Sequence, residues 1–180
     1  KINRKVTEEK LIKKISIFPV STSVIRNLPH KALEAIIKNF ENKYNIEIFI
    51  DNSDYSNYLQ EIFFKTNVVF KNPTNIENLI KDISNINFGV FIDSGPIHVA
   101  KLFNRLGVFI ETSVSHKILL RDSDLIYTVK NKYRSQYCNG PCGLTDIFSF
   151  MKNVGCYETS QLSFKDIQTL KSLKDLQRRN

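Results

Sequence analysis

Short apolar runs alternate along this chain with longer segments in which apolar residues recur every three or four positions. The short runs predict β-strands, because they span three to five residues and are bounded by polar or turn-forming positions: 15–18, 46–50, 68–70, 88–92, 108–111 and 125–129. The longer segments predict helices: 29–42, 55–64, 76–83 and 96–103. Strands separated by helices of this length form βαβ units. The pattern therefore predicts an α/β fold in which helices cover both faces of a parallel sheet.

The pattern changes beyond residue 130. Residues 131–158 have little periodicity and contain Cys138, Cys142 and Cys156, whereas residues 164–176 carry an apolar residue at every third position. We therefore predict three parts: a linker or lead-in helix over 1–14, a main domain over 15–160 and an amphipathic C-terminal helix over 161–180. The terminal helix is expected to pack on its own domain or on a preceding domain, and a contact with an anionic membrane surface is the alternative.

Composition and charge narrow the function classes. The 180 residues include 26 Lys+Arg, 18 Asp+Glu and three Cys, with a formal net charge of +8. No apolar run is long enough to span a membrane, and three cysteines are too few for a disulfide framework, so we expect a reducing, cytoplasmic location. The positive charge attracts anions such as nucleotides, although an A+T-rich genome would produce a similar excess of Lys. The chain has no zinc finger and no aromatic–basic RNA-binding string, so nucleic-acid binding is the less favoured alternative.

The turn after the fourth predicted strand has the residues of an anion site. Residues 93–98 read DSGPIH and lead into a predicted helix. Asp93 or Ser94 can cap that helix, and Gly95 lets a ligand approach the backbone closely. The free N–H groups and the dipole of a helix N-terminus attract an anion such as phosphate. An ordinary capped turn is the alternative interpretation.

The turn after the first predicted strand is rich in hydroxyl groups. Ser21, Thr22 and Ser23 are followed closely by Arg26. Hydroxyls and a guanidinium both donate to phosphate oxygens, although serine-rich loops are also common as solvent-exposed turns. In an open parallel sheet, ligands bind beyond the carboxyl ends of the strands, where the strand order reverses. We therefore expect the two turns to face each other across a crevice.

From about residue 15 to residue 156, the order of motifs resembles the C-terminal half of glycosyltransferase family 9, the ADP-heptose:lipopolysaccharide heptosyltransferase family. The most specific part is FIDSGPIHVA at 91–100, which is similar to the family's Asp-(Ser/Thr)-Gly-x-x-His-x-Ala turn. The hydroxyl pair and basic residue at 21–26, followed by Leu-Pro at 28–29, support it. The segment CNGPC at 138–142 is similar to a cysteine-bearing loop of many members.

This resemblance implies a Rossmann-like domain that binds a nucleotide sugar and forms the C-terminal half of a two-domain GT-B enzyme. It implies an inverting bacterial transferase that moves heptose from ADP-heptose to the lipopolysaccharide core or a related surface glycan. The resemblance implies no cofactor and no essential metal, and a peripheral contact with the inner face of the inner membrane. The catalytic base and the acceptor site would lie in an N-terminal half that this sequence, which begins at Lys1, lacks. The chain alone is therefore expected to bind donor without catalysing transfer.

The resemblance also implies roles for individual residues. The donor diphosphate would be bound by residues of both turns: Ser21, Thr22, Arg26, Ser94, Gly95 and His98. Asp93 would bind hydroxyls of the transferred sugar, and Asp51 or Asp54 would bind the ribose. Glu111 stands where the family usually has a Gly-containing loop, so it either excludes part of the usual donor or binds a different sugar.

Other interpretations stay open from the sequence. A GT-B sugar-nucleotide epimerase or a non-catalytic nucleotide-sugar-binding domain would carry the same motifs. The three cysteines favour reduced structural thiols over zinc, because a structural zinc site needs four ligands at tighter spacing. His30 is expected at the surface or as a capping residue, and packing is the alternative role for His98.

Overall fold

A computed structural model describes residues 12–23, 26–121, 123–130 and 141. The strands are β1 (Lys14–Phe18), β2 (Asn45–Phe49), β3 (Val69–Lys71), β4 (Phe88–Phe91), β5 (Gly107–Ile110) and β6 (Ile126–Val129). The helices are α1 (His30–Phe40), α2 (Asp54–Phe63), α3 (Ile76–Ser84), α4 (Gly95–Leu102) and α5 (His116–Leu119). The predicted lead-in segment up to residue 11, the three cysteines and the predicted C-terminal helix lie outside the described residues.

All six strands form one parallel sheet in the order β3-β2-β1-β4-β5-β6. The chain builds outward from β1 to β3, crosses back to β4 and then continues outward to β6. The winding direction therefore reverses between β1 and β4, and this leaves a crevice at the carboxyl ends of those two strands. The predicted α/β architecture is confirmed.

The two faces of the sheet form separate hydrophobic clusters, because successive side chains of a strand point to opposite faces. Ile17 of β1 packs with Leu33 of α1 and Leu59 of α2 on one face. Its neighbour Phe18 packs with Ile83 of α3 and Ile97 of α4 on the other face. Helices therefore cover both faces, as the alternation of elements predicts.

Two glycines allow close packing between β4 and β5. Gly89 pairs with Gly107 across the strands. A Cβ on Gly89 would lie 2.1 Å from Cζ of Phe91, and a Cβ on Gly107 would lie 2.5 Å from the carbonyl oxygen of Gly89. Each would overlap its neighbour, so the Phe91 ring can lie against this part of the sheet only if both positions lack a side chain.

The predicted helix at 29–42 is too long. The structure starts α1 at His30 and ends it at Phe40, and Pro29 is the extended N-cap rather than a first-turn residue, with φ −56° and ψ 137°. Phe40, the last residue of α1, is 41% exposed, and its ring contacts Tyr44. Helix ends therefore extend less far than the apolar pattern suggests.

The remaining boundaries differ from the predictions by about one residue. For example, β4 ends at Phe91, and α4 begins at Gly95 with Pro96 in its first turn. Helix α5 was not predicted, because its four residues are too few to show a helical period. Its one sequence signal is Ser115, whose hydroxyl oxygen accepts a hydrogen bond from the Lys117 amide.

Candidate functional site

A cavity of about 370 Å³ lies at the carboxyl edge of the sheet. Its wall is built from the loops after four neighbouring strands, β1 to β4, and from α3, and it includes Ser21, Thr22, Asp51, Asn52, Asn72, Pro73, Ser94 and Gly95. The cavity therefore occupies the crevice where the strand order reverses, which is the position of ligand sites in open α/β sheets. The two turns singled out in the sequence both contribute to it.

The turn after β4 forms one edge of this cavity. Ser94 is the N-cap of α4, but its hydroxyl makes no capping hydrogen bond, contrary to one sequence-based expectation. The Ser94 Oγ is buried and has no hydrogen-bond partner among the described residues. A Cβ added to Gly95 would meet no atom within 4 Å. An unpartnered hydroxyl, an open approach to the backbone and a helix N-terminus therefore coincide at the cavity wall.

Three hydrogen bonds to backbone groups hold the turn after β1 in place. The Asn27 carboxamide oxygen accepts a hydrogen bond from the Ser21 amide at 2.7 Å. The Leu28 amide donates to the Pro19 carbonyl at 2.9 Å, and the Tyr55 hydroxyl donates to the Leu28 carbonyl at 2.6 Å. Because these bonds fix both ends of the loop, the backbone that carries Ser21 and Thr22 is held in place at the cavity.

Arg26 links the two turns. Its Nη1 lies 3.4 Å from Asp93 Oδ2 and 3.5 Å from the Asp93 carbonyl oxygen, and its Nη2 donates to Thr22 Oγ1 at 2.9 Å. The pair is largely buried, with the Arg26 side chain 16% exposed and that of Asp93 9% exposed. Arg26 is not among the described residues of the cavity wall. In this structure the guanidinium therefore connects the two turns without belonging to that wall.

The structure distinguishes between the two ribose candidates by position. Asp51 lies on the cavity wall, whereas Asp54 is the first residue of α2 and does not. The Asp51 Oδ1 accepts hydrogen bonds from the Ser53 amide at 2.9 Å, the Ser56 hydroxyl at 2.6 Å and the Ser53 hydroxyl. All three bonds use the same oxygen and orient the carboxylate at the start of α2.

His98 is the last of the diphosphate candidates predicted from the sequence. It is exposed on α4 and does not belong to the described cavity wall. The loop after β3 also supplies part of the wall through Asn72 and Pro73, which no sequence motif indicates. The Asn72 side-chain amide donates to Asn52 Oδ1 at 2.8 Å, so the loops after β2 and β3 are joined there.

Two remaining kinds of feature are a metal site and a membrane-spanning helix. Within the described ranges, no group of three or more His, Cys, Asp or Glu side chains has the arrangement of a metal site. Over the same residues, no helix combines the length and apolarity needed to cross a bilayer.

Comparison with known proteins gives structural matches only. No protein-family model matches the chain, and no curated protein matches it. A family 9 glycosyltransferase from Veillonella parvula superposes with a TM-score of 0.59 at 13% identity, over 89% of this chain and 45% of its own. E. coli heptosyltransferase WaaC, solved with ADP, superposes with a TM-score of 0.58 at 10% identity, over 66% and 38%.

E. coli ADP-heptose lipopolysaccharide heptosyltransferase II superposes with a TM-score of 0.55 at 17% identity, over 97% of this chain and 50% of its own. The chain therefore shares the fold of one part of these glycosyltransferases. The chain spans half or less of each of these three enzymes. At such identities the likeness concerns the fold alone.

Proposed function

We propose that this chain is the nucleotide-sugar-binding domain, corresponding to the C-terminal half, of an inverting GT-B glycosyltransferase. The observation that carries the proposal is the cavity at the β1–β4 reversal, whose wall includes both hydroxyl-bearing turns. The structural neighbours support it, since E. coli WaaC was solved with ADP and with ADP-2-deoxy-2-fluoro heptose. ADP-heptose is the proposed donor, and the lipopolysaccharide core or a related surface glycan the proposed acceptor.

The diphosphate is proposed to lie between the two turns. Ser21 and Thr22 offer hydroxyl donors on one side, and Ser94 Oγ with the first backbone N–H groups of α4 offers donors on the other. Each charge-assisted hydrogen bond contributes about 1.5–3 kcal/mol. The helix dipole contributes about 0.3–1 kcal/mol when exposed and up to ~2 kcal/mol when partly buried. Several such contacts acting together suffice to hold a diphosphate.

The same groups serve the transfer step. In an inverting transfer an acceptor hydroxyl attacks the anomeric carbon, the bond from that carbon to the diphosphate oxygen breaks, and the nucleoside diphosphate leaves. Negative charge grows on the leaving oxygen, so positioned donors around the diphosphate stabilise the transition state more than the ground state. The base that accepts the hydroxyl proton is assigned to the N-terminal half of the enzyme, outside this chain.

Asp93 and Asp51 complete the proposed donor site. Asp93 lies two residues beyond the end of β4, and Arg26 contacts its carboxylate, which suits it to accept hydrogen bonds from hydroxyls of the transferred sugar. Asp51 is favoured over Asp54 for the ribose because it lies on the cavity wall. We assign no cofactor and no metal to this chemistry. Cytoplasmic location with peripheral contact at the inner membrane, and the absence of a nucleic-acid partner, belong to the same proposal.

The test is calorimetric binding of the 180-residue chain to ADP, UDP, GDP and ADP-heptose, with Ser94→Ala as the matched variant. We expect ADP and ADP-heptose to bind, and Ser94→Ala to weaken both about tenfold with an unchanged melting temperature. Selective UDP or GDP binding would keep the donor-site proposal and exclude ADP-heptose. A folded chain that binds none of the four would contradict the proposal for this chain.

A further inference from the structure

We propose that Glu111, oriented by His116, is a second carboxylate that binds hydroxyl groups of the transferred sugar and so contributes to donor specificity. The inference rests on the proposed function and deepens it. Its starting point is the strand register: Phe91 of β4 pairs with Phe109 of β5. Asp93 and Glu111 each follow that pair by two residues, so the register brings the two carboxyl-bearing residues to the ends of adjacent strands, whose backbones are about 5 Å apart where they pair.

The chain holds Glu111 in this place on both sides. Its amide donates to the Val129 carbonyl at 2.9 Å, so the backbone still pairs with β6 after β5 has ended. Its Oε1 accepts from the His116 amide at 3.0 Å and lies 2.9 Å from His116 Nδ1. Both bonds to the described residues use this one oxygen. The other oxygen, Oε2, makes no hydrogen bond to a described residue.

Asp93 and Glu111 have similar surroundings. The side chain of Glu111 is 5% exposed and that of Asp93 9% exposed, and each carboxylate lies against one nitrogen-bearing side chain. Arg26 serves Asp93, and His116 serves Glu111. A buried carboxylate with one oriented oxygen and one remaining oxygen is suited to accept from a ligand hydroxyl.

Two buried hydroxyls lacking partners accompany these carboxylates. Ser94 follows Asp93 directly and lies on the cavity wall, and Ser113 follows Glu111 by two residues. Neither Oγ has a hydrogen-bond partner among the described residues, and Ser113 as a whole is only 8% exposed. Buried hydroxyls are normally satisfied, so these two indicate a polar ligand.

A sugar fits this combination of groups better than a phosphate does. Two carboxylates accept only, and they repel an anion, whereas sugar hydroxyls both donate to carboxylates and accept from serine hydroxyls. The diphosphate would then lie toward Ser21, Thr22 and Gly95, with the sugar toward β5. The site would favour a donor whose sugar has hydroxyls that reach both strand ends. With a sugar that lacks one of them, a carboxylate would stay buried without a hydroxyl to bind.

The experiment compares the affinity of each free nucleotide with that of its sugar conjugate: ADP with ADP-heptose, and UDP with UDP-glucose. The affinity gain from the sugar is the ratio of the conjugate's affinity to that of the free nucleotide. Glu111→Ala is expected to lower this gain about tenfold while changing free-nucleotide affinity less than threefold. Glu111→Gln keeps the size and one acceptor oxygen, so it serves as the variant if Glu111→Ala unfolds. Melting temperatures accompany every measurement.

His116 is a positioning residue in this scheme, and its variants separate orientation from simple packing. His116→Ala is expected to lower the gain from the sugar as Glu111→Ala does. His116→Asn places an amide nitrogen close to the position of Nδ1, so it is expected to restore most of the gain. If the parent chain binds both ligands of a pair, and the affinity gain from the sugar is unchanged in Glu111→Ala and in Glu111→Gln, then the role of Glu111 alone is overturned. A parent chain that binds neither nucleotide nor conjugate would overturn the proposed function as well.

Discussion

Arg26 Nη1 lies 3.4 Å from Asp93 Oδ2 and joins two turns that are 67 residues apart in the sequence. The second guanidinium nitrogen, Nη2, holds Thr22 Oγ1 at 2.9 Å. One side chain therefore fixes the turn after β1 relative to the turn after β4. Because both turns line the cavity, the contact sets the spacing of the groups proposed to bind the diphosphate.

Arg26→Ala is expected to lower both stability and nucleotide affinity. Removing the guanidinium leaves the Asp93 carboxylate largely buried without its cation, and for this partly exposed pair we expect a loss of about 2 kcal/mol in unfolding free energy. Affinity for ADP is expected to fall about tenfold, because the turns lose their fixed spacing. Urea unfolding and calorimetry measure the two effects.

The control for Arg26 is Lys38→Ala on α1. Lys38 Nζ lies 2.7 Å from Glu34 Oε1 in an exposed pair, where the hydrogen bond from Lys38 lowers the pKa of Glu34. Such a surface pair contributes little, so stability and affinity are expected to stay close to those of the parent chain. If Arg26→Ala behaves like this control, Arg26 does not brace the site.

Asp93→Ala is expected to weaken the sugar conjugate more than the free nucleotide. The proposed contacts of the Asp93 carboxylate are with sugar hydroxyls, and the Asp93 carbonyl oxygen keeps its contact with Arg26 Nη1, so ADP-heptose should lose about tenfold more affinity than ADP does. Asp93→Asn, which keeps the size of the side chain, is measured in parallel to separate charge from shape. Equal losses for the two ligands would remove Asp93 from its role in binding the sugar.

The sequence was sufficient to predict the architecture and the two turns, because both depend on local signals. Apolar runs at strand length alternate with helical spacing, and the DSGP segment combines capping residues, glycine and proline. Contacts between distant residues left no such signal. Nothing in the sequence near Arg26 indicates that its side chain reaches Asp93. Likewise, only the fold shows that Asn72 lies at the cavity.

The same reasoning applies to the ribose candidates and to Glu111. Asp51 and Asp54 are three residues apart and have the same side chain, so the sequence does not distinguish them. In the structure Asp51 lies on the cavity wall, whereas Asp54 is the first residue of α2. Glu111 could be noted from the sequence as unusual for its position. Its proximity to the end of β4 depends on the register between β4 and β5, which side-chain periodicity does not determine.

Tyr55→Phe is expected to destabilise the turn after β1. The Tyr55 hydroxyl donates to the Leu28 carbonyl at 2.6 Å, and both residues are buried. Losing this donor leaves a buried carbonyl without that bond, at a cost of about 1–3 kcal/mol in unfolding free energy. Tyr127→Phe on β6, where the ring is 65% exposed, is the control and should change stability by less than about 0.5 kcal/mol. Equal effects in urea unfolding would show that the Leu28 bond contributes nothing specific.

Gly95→Ala and Gly107→Ala separate binding from folding, because Gly95 begins α4 at the cavity wall and Gly107 begins β5. A Cβ at Gly95 meets no atom within 4 Å, so Gly95→Ala should fold with an unchanged or slightly higher melting temperature. The added methyl group stands at the cavity wall, where it blocks close approach of the diphosphate to the first turn of α4, and ADP affinity should fall about tenfold. A Cβ at Gly107 would lie 2.5 Å from the Gly89 carbonyl oxygen, so Gly107→Ala should cost about 1–3 kcal/mol or more in stability. Thermal unfolding and calorimetry on both variants test the pair, and a Gly95→Ala chain that binds ADP as the parent does would place the diphosphate away from this turn.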